Sequence, residues 1–268
     1  MPQDAGLAEA LLALQHLTER LRRDCPWDRE QTARTIVPHT VEEAYEVADA
    51  AMDGREEKQI DELGDLLFQV YFLALLLSEQ GVGDLEAVAR GVHDKLVRRH
   101  PHVFGDAEAE TAGRVKERWE QIKTEQEGRE GVFHDVPGSL PALLYARKVQ
   151  RRVESVGYDW PDLAGPLAKV REELDELDAE VQRVGAPAAQ TESDARLVDE
   201  LGDVLFTIVN VARKLNVDPE LALRGTTRKF RARVERAVKL ADERGERWAE
   251  LGLDEQERYY ELAKEVLA

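Results

Sequence analysis

The fold of this chain is indicated by an eight-residue stretch, Asp61-Glu62-Leu63-Gly64-Asp65-Leu66-Leu67-Phe68, that recurs as Asp199-Glu200-Leu201-Gly202-Asp203-Val204-Leu205-Phe206. Each copy follows a second acidic cluster, Glu42-Glu43-Ala44-Tyr45-Glu46 in the first case and Glu172-Glu173-Leu174-Asp175-Glu176 in the second. The repeated unit is therefore an acidic pair, a connection and another acidic pair. This pattern predicts a chain built from two similar halves.

Helical geometry gives each acidic pair a shared direction. Side chains three positions apart lie on one face of a helix, so two such helices packed antiparallel bring four carboxylates to one place. That cluster repels itself and raises its own pKa values unless hard divalent cations, which take oxygen ligands, compensate it. The candidate metal ligands are Glu43, Glu46, Glu62 and Asp65 in the first half, and Glu173, Glu176, Glu200 and Asp203 in the second.

The type of metal follows from the ligand chemistry. Carboxylate sites for iron in helix bundles use Glu-x-x-His pairs, and neither copy has one. An all-oxygen shell favours Mg²⁺, with Mn²⁺ as the alternative, over iron or zinc.

Composition sets the fold class. The chain has 268 residues, which suits two domains, and its 43% hydrophobic and 34% charged residues with few aromatics favour amphipathic helices. We expect an all-α, soluble protein of two tandem antiparallel helical bundles. The net charge of -18 argues against a binder of nucleic acid or of anionic membranes.

The cellular compartment is expected to be the cytoplasm. Cys25 is the only cysteine, so neither an intrachain disulfide nor a multi-cysteine zinc site can form. The first residues lack the basic and apolar regions of a signal peptide, and no apolar run is long enough to span a bilayer.

Apolar spacing and breaker residues predict helices in both halves. In the first half they run over about 6–23, which the turn Cys25-Pro26-Trp27-Asp28 closes, then 40–53, 56–80 and 84–99, with a further helix around Trp119. In the second half they run over about 141–156, 163–184, 195–215, 219–244 and 254–267. The expected domains are 1–127 and 140–268, joined by a linker over 128–139.

Structural roles compete with the metal-ligand role of the carboxylates. A single Glu on a helix of so acidic a chain is usually solvated, and Glu43 has the spacing to form a capping box with Thr40. Gly64 and Gly202 recur mid-helix although glycine is unfavourable there, which suggests a close helix contact beside the acidic site. The second acidic pair of the first copy also borders an apolar stripe, which is formed by Leu63, Leu66, Leu67, Val70 and Leu73.

Basic residues recur after each acidic helix. Lys95 and Arg99, next to Arg98, are four positions apart, as are Lys229 and Arg233, so each pair lies on one helical face. Surface salt bridges and contacts to substrate phosphates both fit this pattern, and its recurrence favours phosphates.

One tryptophan lies in a predicted turn early in each copy. Trp27 and Trp160 are expected to be buried turn anchors, with stacking on a nucleobase as the alternative.

Taken together, these motifs resemble the MazG family of nucleoside triphosphate pyrophosphohydrolases. The match comprises both ordered sets of acidic pairs, the Cys25-Pro26-Trp27-Asp28 segment and the stretch from Lys95 to Phe104, and it covers nearly the whole chain. The resemblance implies an all-α fold, assembly as a homodimer, and magnesium-dependent hydrolysis of nucleoside triphosphates to the monophosphate and pyrophosphate.

The resemblance also implies which residues act. Catalysis is credited to the carboxyl-terminal copy, with Glu173, Glu176, Glu200 and Asp203 on the metal and Lys229 and Arg233 on the phosphates. Arg196 stands where a Lys is expected and Tyr260 where a Trp is expected near the nucleotide, so both are assigned to substrate binding and base preference is open. In the amino-terminal copy the corresponding phosphate contacts are Lys95, Arg98 and Arg99, and that copy is either active or binds nucleotide without turnover.

The expected mechanism is direct attack by water on the α-phosphorus. Glu172 or Glu173 accepts the proton of the water, while Lys229 and Arg233 offset the charge of the departing pyrophosphate. Two rivals are a regulatory module that binds nucleotide without chemistry, and a narrower pyrophosphatase of the all-α dUTPase kind.

Overall fold

A computed structural model describes residues 2–105, 131–134, 136–185 and 194–267 of the chain. Every regular element within those ranges is helical, so the all-α prediction is confirmed. The chain divides into two compact units, Met1–Glu127 and Gly128–Ala268. The predicted helix around Trp119 and part of the predicted linker lie outside the described residues, and the linker bounds stay a prediction.

Six α helices form the described part of the first unit. They are α1 (Pro2–Asp24), α2 (Pro26–Glu30), α3 (Ala33–Met52), α4 (Glu56–Glu79), α5 (Leu85–Arg99) and α6 (Pro101–Phe104). Helix α4 begins and ends within one residue of its predicted bounds, and Asp84 caps α5 as predicted by accepting a hydrogen bond from the Ala87 backbone N–H (2.8 Å).

The predicted start of α3 at Thr40 is wrong. The helix begins at Ala33, and Thr32 and Thr35 exchange side-chain and backbone hydrogen bonds in the capping box. Pro38 lies inside the helix, although a proline disfavours helical backbone at the preceding residue. The Thr40 hydroxyl donates to the carbonyl of Ile36 (3.3 Å), so Glu43 has no capping role.

The segment Cys25-Pro26-Trp27-Asp28, predicted as a turn, is instead the start of a short helix. Pro26 occupies the first position of α2, where its missing N–H costs nothing and its fixed φ suits the helix. Cys25 precedes it in extended conformation.

Helices α3 and α4 form a hairpin, and the core of the first unit lies between them and α1. Ile36, Phe72 and Leu76 are its buried apolar residues. The apolar stripe of α4 divides, because Leu63, Leu67 and Val70 are exposed, whereas Leu73 packs against this core. The buried residues of α4 begin at Glu62.

The second unit forms five α helices and a 3₁₀ turn in its described residues. They are α7 (Ala142–Glu154), α8 (Ala164–Val184), α9 (Ala195–Lys214), α10 (Pro219–Asp242), the 3₁₀ turn Trp248–Glu250 and α11 (Leu253–Val266). All five α helices match their predicted bounds to within about two residues. Residues 186–193 lie outside the described ranges.

Helices α8 and α9 pack as α3 and α4 do, and α10 packs on α11. The buried cluster between α10 and α11 consists of Ala237, Ala241, Tyr259 and Ala263. Helix α9 also leaves an apolar stripe exposed, formed by Val198, Leu201, Leu205 and Ile208. None of the described helices has both the length and the apolar character that crossing a membrane requires.

Candidate metal centre

The first unit brings three of its four predicted ligands together. Glu43 from α3 and Glu62 and Asp65 from α4 each offer a carboxylate oxygen, and these oxygens lie within 4.8 Å of one another. Glu62 is buried, Glu43 is half-buried and Asp65 is exposed. We call this group the first triad.

The second unit repeats the arrangement. Glu173 from α8 and Glu200 and Asp203 from α9 form the second triad, with the same 4.8 Å limit between oxygens. The buried member of the triad lies on a different helix in each unit. It is Glu173 on the first helix of the hairpin here and Glu62 on the second helix in the first triad, and each is 4% exposed. In both units the helical hairpin converges its carboxylates on one open edge.

The fourth predicted ligand of each unit lies outside the triad. The carboxyl of Glu46 donates a hydrogen bond to Glu62, and this raises the pKa of Glu46. The carboxyl of Glu176 donates in the same way to Glu173, which raises the pKa of Glu176. Each fourth carboxyl is thus one hydrogen bond away from the buried member of its triad.

Repulsion within the first triad shows in Glu43. Burial raises the pKa of Glu43 first, and the nearby charges of Asp65, Glu46 and Glu62 raise it further. Carboxylates crowded in this way favour either a proton or a cation, and a hard divalent ion satisfies all three at once.

A lysine one helical turn before the buried carboxylate neutralises it in each unit. Lys58 Nζ lies 2.9 Å from Glu62 Oε1. Lys169 Nζ lies 2.7 Å from Glu173 Oε1 and 2.6 Å from Glu172 Oε1. The hydrogen bond from Lys58 lowers the pKa of Glu62, although burial opposes it, and the hydrogen bond from Glu46 lowers it further.

Neither lysine was among the site residues predicted from sequence. The signal that could have found them is their spacing, four residues before the carboxylate on the same helix. Their positions also differ between the copies, because Arg196 occupies in α9 the place that Lys58 has in α4, and His39 occupies in α3 the place of Lys169 in α8.

The predicted phosphate contacts lie on other helices. Lys95, Arg98 and Arg99 are on the last turns of α5, and Lys229 and Arg233 are on α10. Lys229 is exposed and Arg233 is half-buried. Within the described residues no ion pair joins Lys229 or Arg233 to the second triad.

The two residues that depart from the expected family pattern lie on different elements. Arg196 is exposed in the first turn of α9, where its backbone N–H donates to the capping residue Asp194 (3.0 Å). Tyr260 on α11 is half-buried, with its ring 5.7 Å from that of Phe230 and tilted by 46°. Phe230 adjoins Lys229 on α10, so an aromatic pair lies beside one predicted phosphate contact.

The chemistry of both triads fits a hard divalent cation. Three carboxylates with no nitrogen or sulfur donor among them form the kind of oxygen set that binds Mg²⁺ or Mn²⁺, with waters and substrate oxygens completing the shell. A model of the MazG nucleotide pyrophosphohydrolase domain matches the chain twice, at residues 31–104 and 165–238, and each match contains one triad. The chain belongs to the MazG family.

Whole-chain relatives agree with that assignment. This MazG-family chain is 41% identical over 254 residues to the nucleoside triphosphate pyrophosphohydrolase of Escherichia coli K12, covering 92% of this chain and 94% of that protein. It is 38% identical over 267 residues to the nucleoside triphosphate pyrophosphohydrolase/pyrophosphatase MazG of Thermotoga maritima, covering 98% of each. The nucleoside triphosphate pyrophosphohydrolase of Mycobacterium tuberculosis is 32% identical over 156 residues, and the match covers 58% of this chain and 48% of that protein.

Proposed function

We propose that this protein hydrolyses nucleoside triphosphates to the nucleoside monophosphate and pyrophosphate, with Mg²⁺ as cofactor. The observation that carries the proposal is the presence of a three-carboxylate triad in each of the two segments that match the MazG domain. The names of the full-length relatives from Escherichia coli and Thermotoga maritima support the same activity.

Glu173, Glu200 and Asp203 are the residues that would hold the metal in the carboxyl-terminal copy. When bound there, Mg²⁺ supplies charge neutralisation of the triphosphate and a lowered pKa of bound water. Mn²⁺ has the same ligand preferences and is the alternative cofactor.

Glu172 is the proposed proton acceptor. It adjoins Glu173 in sequence, is exposed, and lies outside the triad, so its carboxylate is not committed to the metal. Glu172 takes the proton as water attacks the α-phosphorus, and Lys169 Nζ positions that carboxylate by donating a hydrogen bond to its Oε1 (2.6 Å). Lys229, Arg233 and Arg196 are proposed to offset the charge of the phosphates, and Tyr260 to contact the base.

We place catalysis in the carboxyl-terminal copy and nucleotide binding in both. The amino-terminal copy has its own triad, with Glu46 beside it and with Lys95, Arg98 and Arg99 as its proposed phosphate contacts. The proposed domains are 1–127 and 140–268, with 128–139 as linker. The proposed compartment is the cytoplasm, where nucleotides are made and Cys25 stays a free thiol.

Assembly as a homodimer is supported by a repeated exposed surface. Ile60, Leu63, Leu67 and Val70 on α4 are exposed, and each recurs 138 positions later as an exposed apolar residue of the α9 stripe. Contiguous exposed apolar faces of this kind mark association surfaces. Gly64 and Gly202 border these stripes, and among the described residues no atom outside the adjoining helical backbone lies within 4 Å of a Cβ placed on either glycine. The part of each unit that the structure describes therefore makes no close helix contact at these glycines, and we assign the predicted contact to a second copy of the chain.

The activity is tested by pyrophosphate release from a panel of canonical and altered nucleoside triphosphates with Mg²⁺. We expect the wild type to release pyrophosphate from several of them. Glu176→Gln removes a carboxyl hydrogen-bonded to the second triad and is expected to lower kcat about 10- to 100-fold, while Glu46→Gln, its matched control in the first unit, retains activity.

Other outcomes point to the rivals. Release from one base only would favour the narrow dUTPase-like enzyme, and no release from any substrate would favour a binding module without chemistry. Full activity in Glu176→Gln with an intact helical circular dichroism spectrum would remove catalysis from the second triad.

A further inference from the structure

Trp27 is presented to solvent by a rigid support. Its side chain is 52% exposed, so the prediction of a buried turn anchor is wrong for this residue. Trp160 is 40% exposed, but its ring lies against Gly165, where a Cβ would come within 2.0 Å of it. The two tryptophans therefore differ, and Trp27 needs another explanation.

The helix that carries Trp27 is clamped by one arginine. The Arg22 guanidinium donates to the backbone carbonyls of Asp28 (2.6 Å), Arg29 (3.0 Å) and Gln31 (3.0 Å) at the end of α2. It also forms a bidentate ion pair with Glu79 on α4 (2.8 and 2.9 Å). These bonds fix α2 against the body of the unit, although α2 is only five residues long.

The Trp27 ring meets an imidazole on the helix that supplies the first triad. Its centroid lies 5.9 Å from that of His39, with the planes 65° apart. His39 lies on α3 one helical turn before Glu43, so both side chains share a face. Trp27 therefore contacts the face of α3 that carries Glu43 of the first triad one helical turn further on.

The corresponding place in the second unit holds a cation. Lys169 stands four residues before Glu173, as His39 stands four residues before Glu43, and its ammonium is engaged with Glu172 and Glu173. In the first triad Lys58 forms the ion pair with the buried carboxylate, and the ring of His39 packs against Trp27. The aromatic pair is thus a feature of the first unit alone among the described residues at these positions.

We propose that Trp27 and His39 form a base-stacking site, at which the amino-terminal copy binds a purine nucleotide whose phosphates reach a metal ion on the first triad. The proposal rests on the proposed function, because it uses the same metal and phosphate chemistry. An exposed indole held rigidly stacks on any nucleobase, with a preference for the larger purine ring, and loses little conformational freedom on binding. One helical turn between His39 and Glu43 leaves room for the sugar between base and phosphates.

The test measures binding to the full chain by isothermal titration calorimetry. The probes are α,β-methylene-ATP, which resists cleavage at the reacting bond, and inorganic triphosphate, which has the phosphates without the base, both with Mg²⁺. We expect two nucleotides per wild-type chain. Trp27→Leu is expected to weaken one of the two sites for the nucleotide about tenfold and to leave the affinity for inorganic triphosphate unchanged.

Two matched variants separate stacking from folding. Trp27→Phe keeps an aromatic face and is expected to restore most of the lost affinity. Tyr158→Leu removes an aromatic residue that is 83% exposed in the corresponding loop of the second unit, and both sites are expected to keep their wild-type affinity. We expect the nucleotide to quench tryptophan fluorescence in the wild type, and we expect this quenching to be smaller in Trp27→Phe.

Several results would overturn the proposal. An equal loss for both probes in Trp27→Leu would make the residue structural, and no loss for either would exclude stacking. One nucleotide per wild-type chain together with pyrophosphate release would leave the proposed function standing and remove the second site. Absence of both binding and release would contradict the two proposals together.

Discussion

Asp159 joins the loop before α8 to the end of α9 through two cations. Its carboxylate accepts hydrogen bonds from Arg213, which is 8% exposed, and from Lys214. Arg213 also bonds Asn210 within α9 and lies 2.7 Å from Glu154 on α7. Burial opposes the charge of Asp159, but these hydrogen bonds outweigh it and lower the pKa of the carboxyl.

Replacing this carboxylate should destabilise the second unit. Asp159→Asn leaves the nearly buried Arg213 with only part of its compensation, so we expect a loss of about 2 kcal/mol in the free energy of unfolding near neutral pH. Urea titration followed by circular dichroism measures it. Asp178→Asn, which changes an exposed carboxylate on α8, should stay within about 0.5 kcal/mol of wild type.

The pH dependence of this difference has a definite sign. The folded pKa of Asp159 is lowered, so its contribution is present above the unfolded pKa of about 3.9 and is lost as the pH falls through the folded value. The wild type and Asp159→Asn should therefore converge in stability in strong acid. A difference that stays constant down to the acid limit would show that the loop is not held by this charge.

At the scale of the helix, α3 and α8 leave an apolar stripe uncovered on α4 and on α9. Each hairpin buries one face of its second helix and turns the apolar stripe away from it. An amphipathic helix that exposes its apolar side gains stability only when another surface covers that side.

Polar substitution of the α9 stripe should therefore dissociate the proposed dimer. We expect Leu201→Ser combined with Leu205→Ser to shift the chain from dimer toward monomer in sedimentation equilibrium, since two apolar contacts are lost from each partner. Val156→Ser removes an apolar side chain that is 59% exposed at the end of α7 and should leave the mass unchanged. A wild type that sediments as a monomer would refute the assignment of the stripes.

Sequence predicted helices well where local signals define their ends. Asp84 caps α5 by a bond to the third residue on, and Pro219 occupies the first position of α10, as local rules require. Thr32 and Thr35 also form a local signal, but the capping-box spacing of Thr40 and Glu43 favoured a later start of α3 and misplaced that end by seven residues.

The candidate site was predicted in part. The three-residue spacing brings both members of the second acidic pair of each unit into the triad, but Glu46 and Glu176 of the first pairs lie outside it, hydrogen-bonded to its buried member. The clamp on α2 had no local signal, because Arg22 and Glu79 lie 57 residues apart in sequence. Contacts between residues so far apart in sequence form only in the packed fold, and local spacing rules do not predict them.

At the scale of the whole molecule, stability and metal binding should be linked. The pKa of Glu43 is raised by burial and then by its acidic neighbours, and that of Glu46 by its hydrogen bond to Glu62. Groups whose pKa is raised on folding contribute stability below their unfolded pKa of about 4.3, and that contribution is lost as the pH rises through the folded value. In the absence of metal, Glu43 and Glu46 therefore weaken the fold most at neutral and basic pH.

Saturating Mg²⁺ should reverse that penalty. We expect the increase in Tm on adding Mg²⁺, relative to a chelator, to be larger at about pH 8 than at about pH 5, because protons compete with the metal for the same oxygens. Differential scanning calorimetry measures both values. Combining Glu43→Gln with Glu173→Gln should abolish most of the Mg²⁺ effect at the higher pH, and a Tm indifferent to Mg²⁺ in the wild type would argue against metal at the triads.

Lys58 and Lys169 give the chain an internal counter-ion for each buried carboxylate. A newly synthesised chain can therefore close both hairpins before it meets a divalent ion, unlike a zinc finger, which is unfolded without its metal. With Mg²⁺ as the proposed cofactor, metal supply would limit turnover before it limits folding. A cell short of magnesium would then keep a folded, idle reserve of the enzyme, which resumes work as soon as the ion returns.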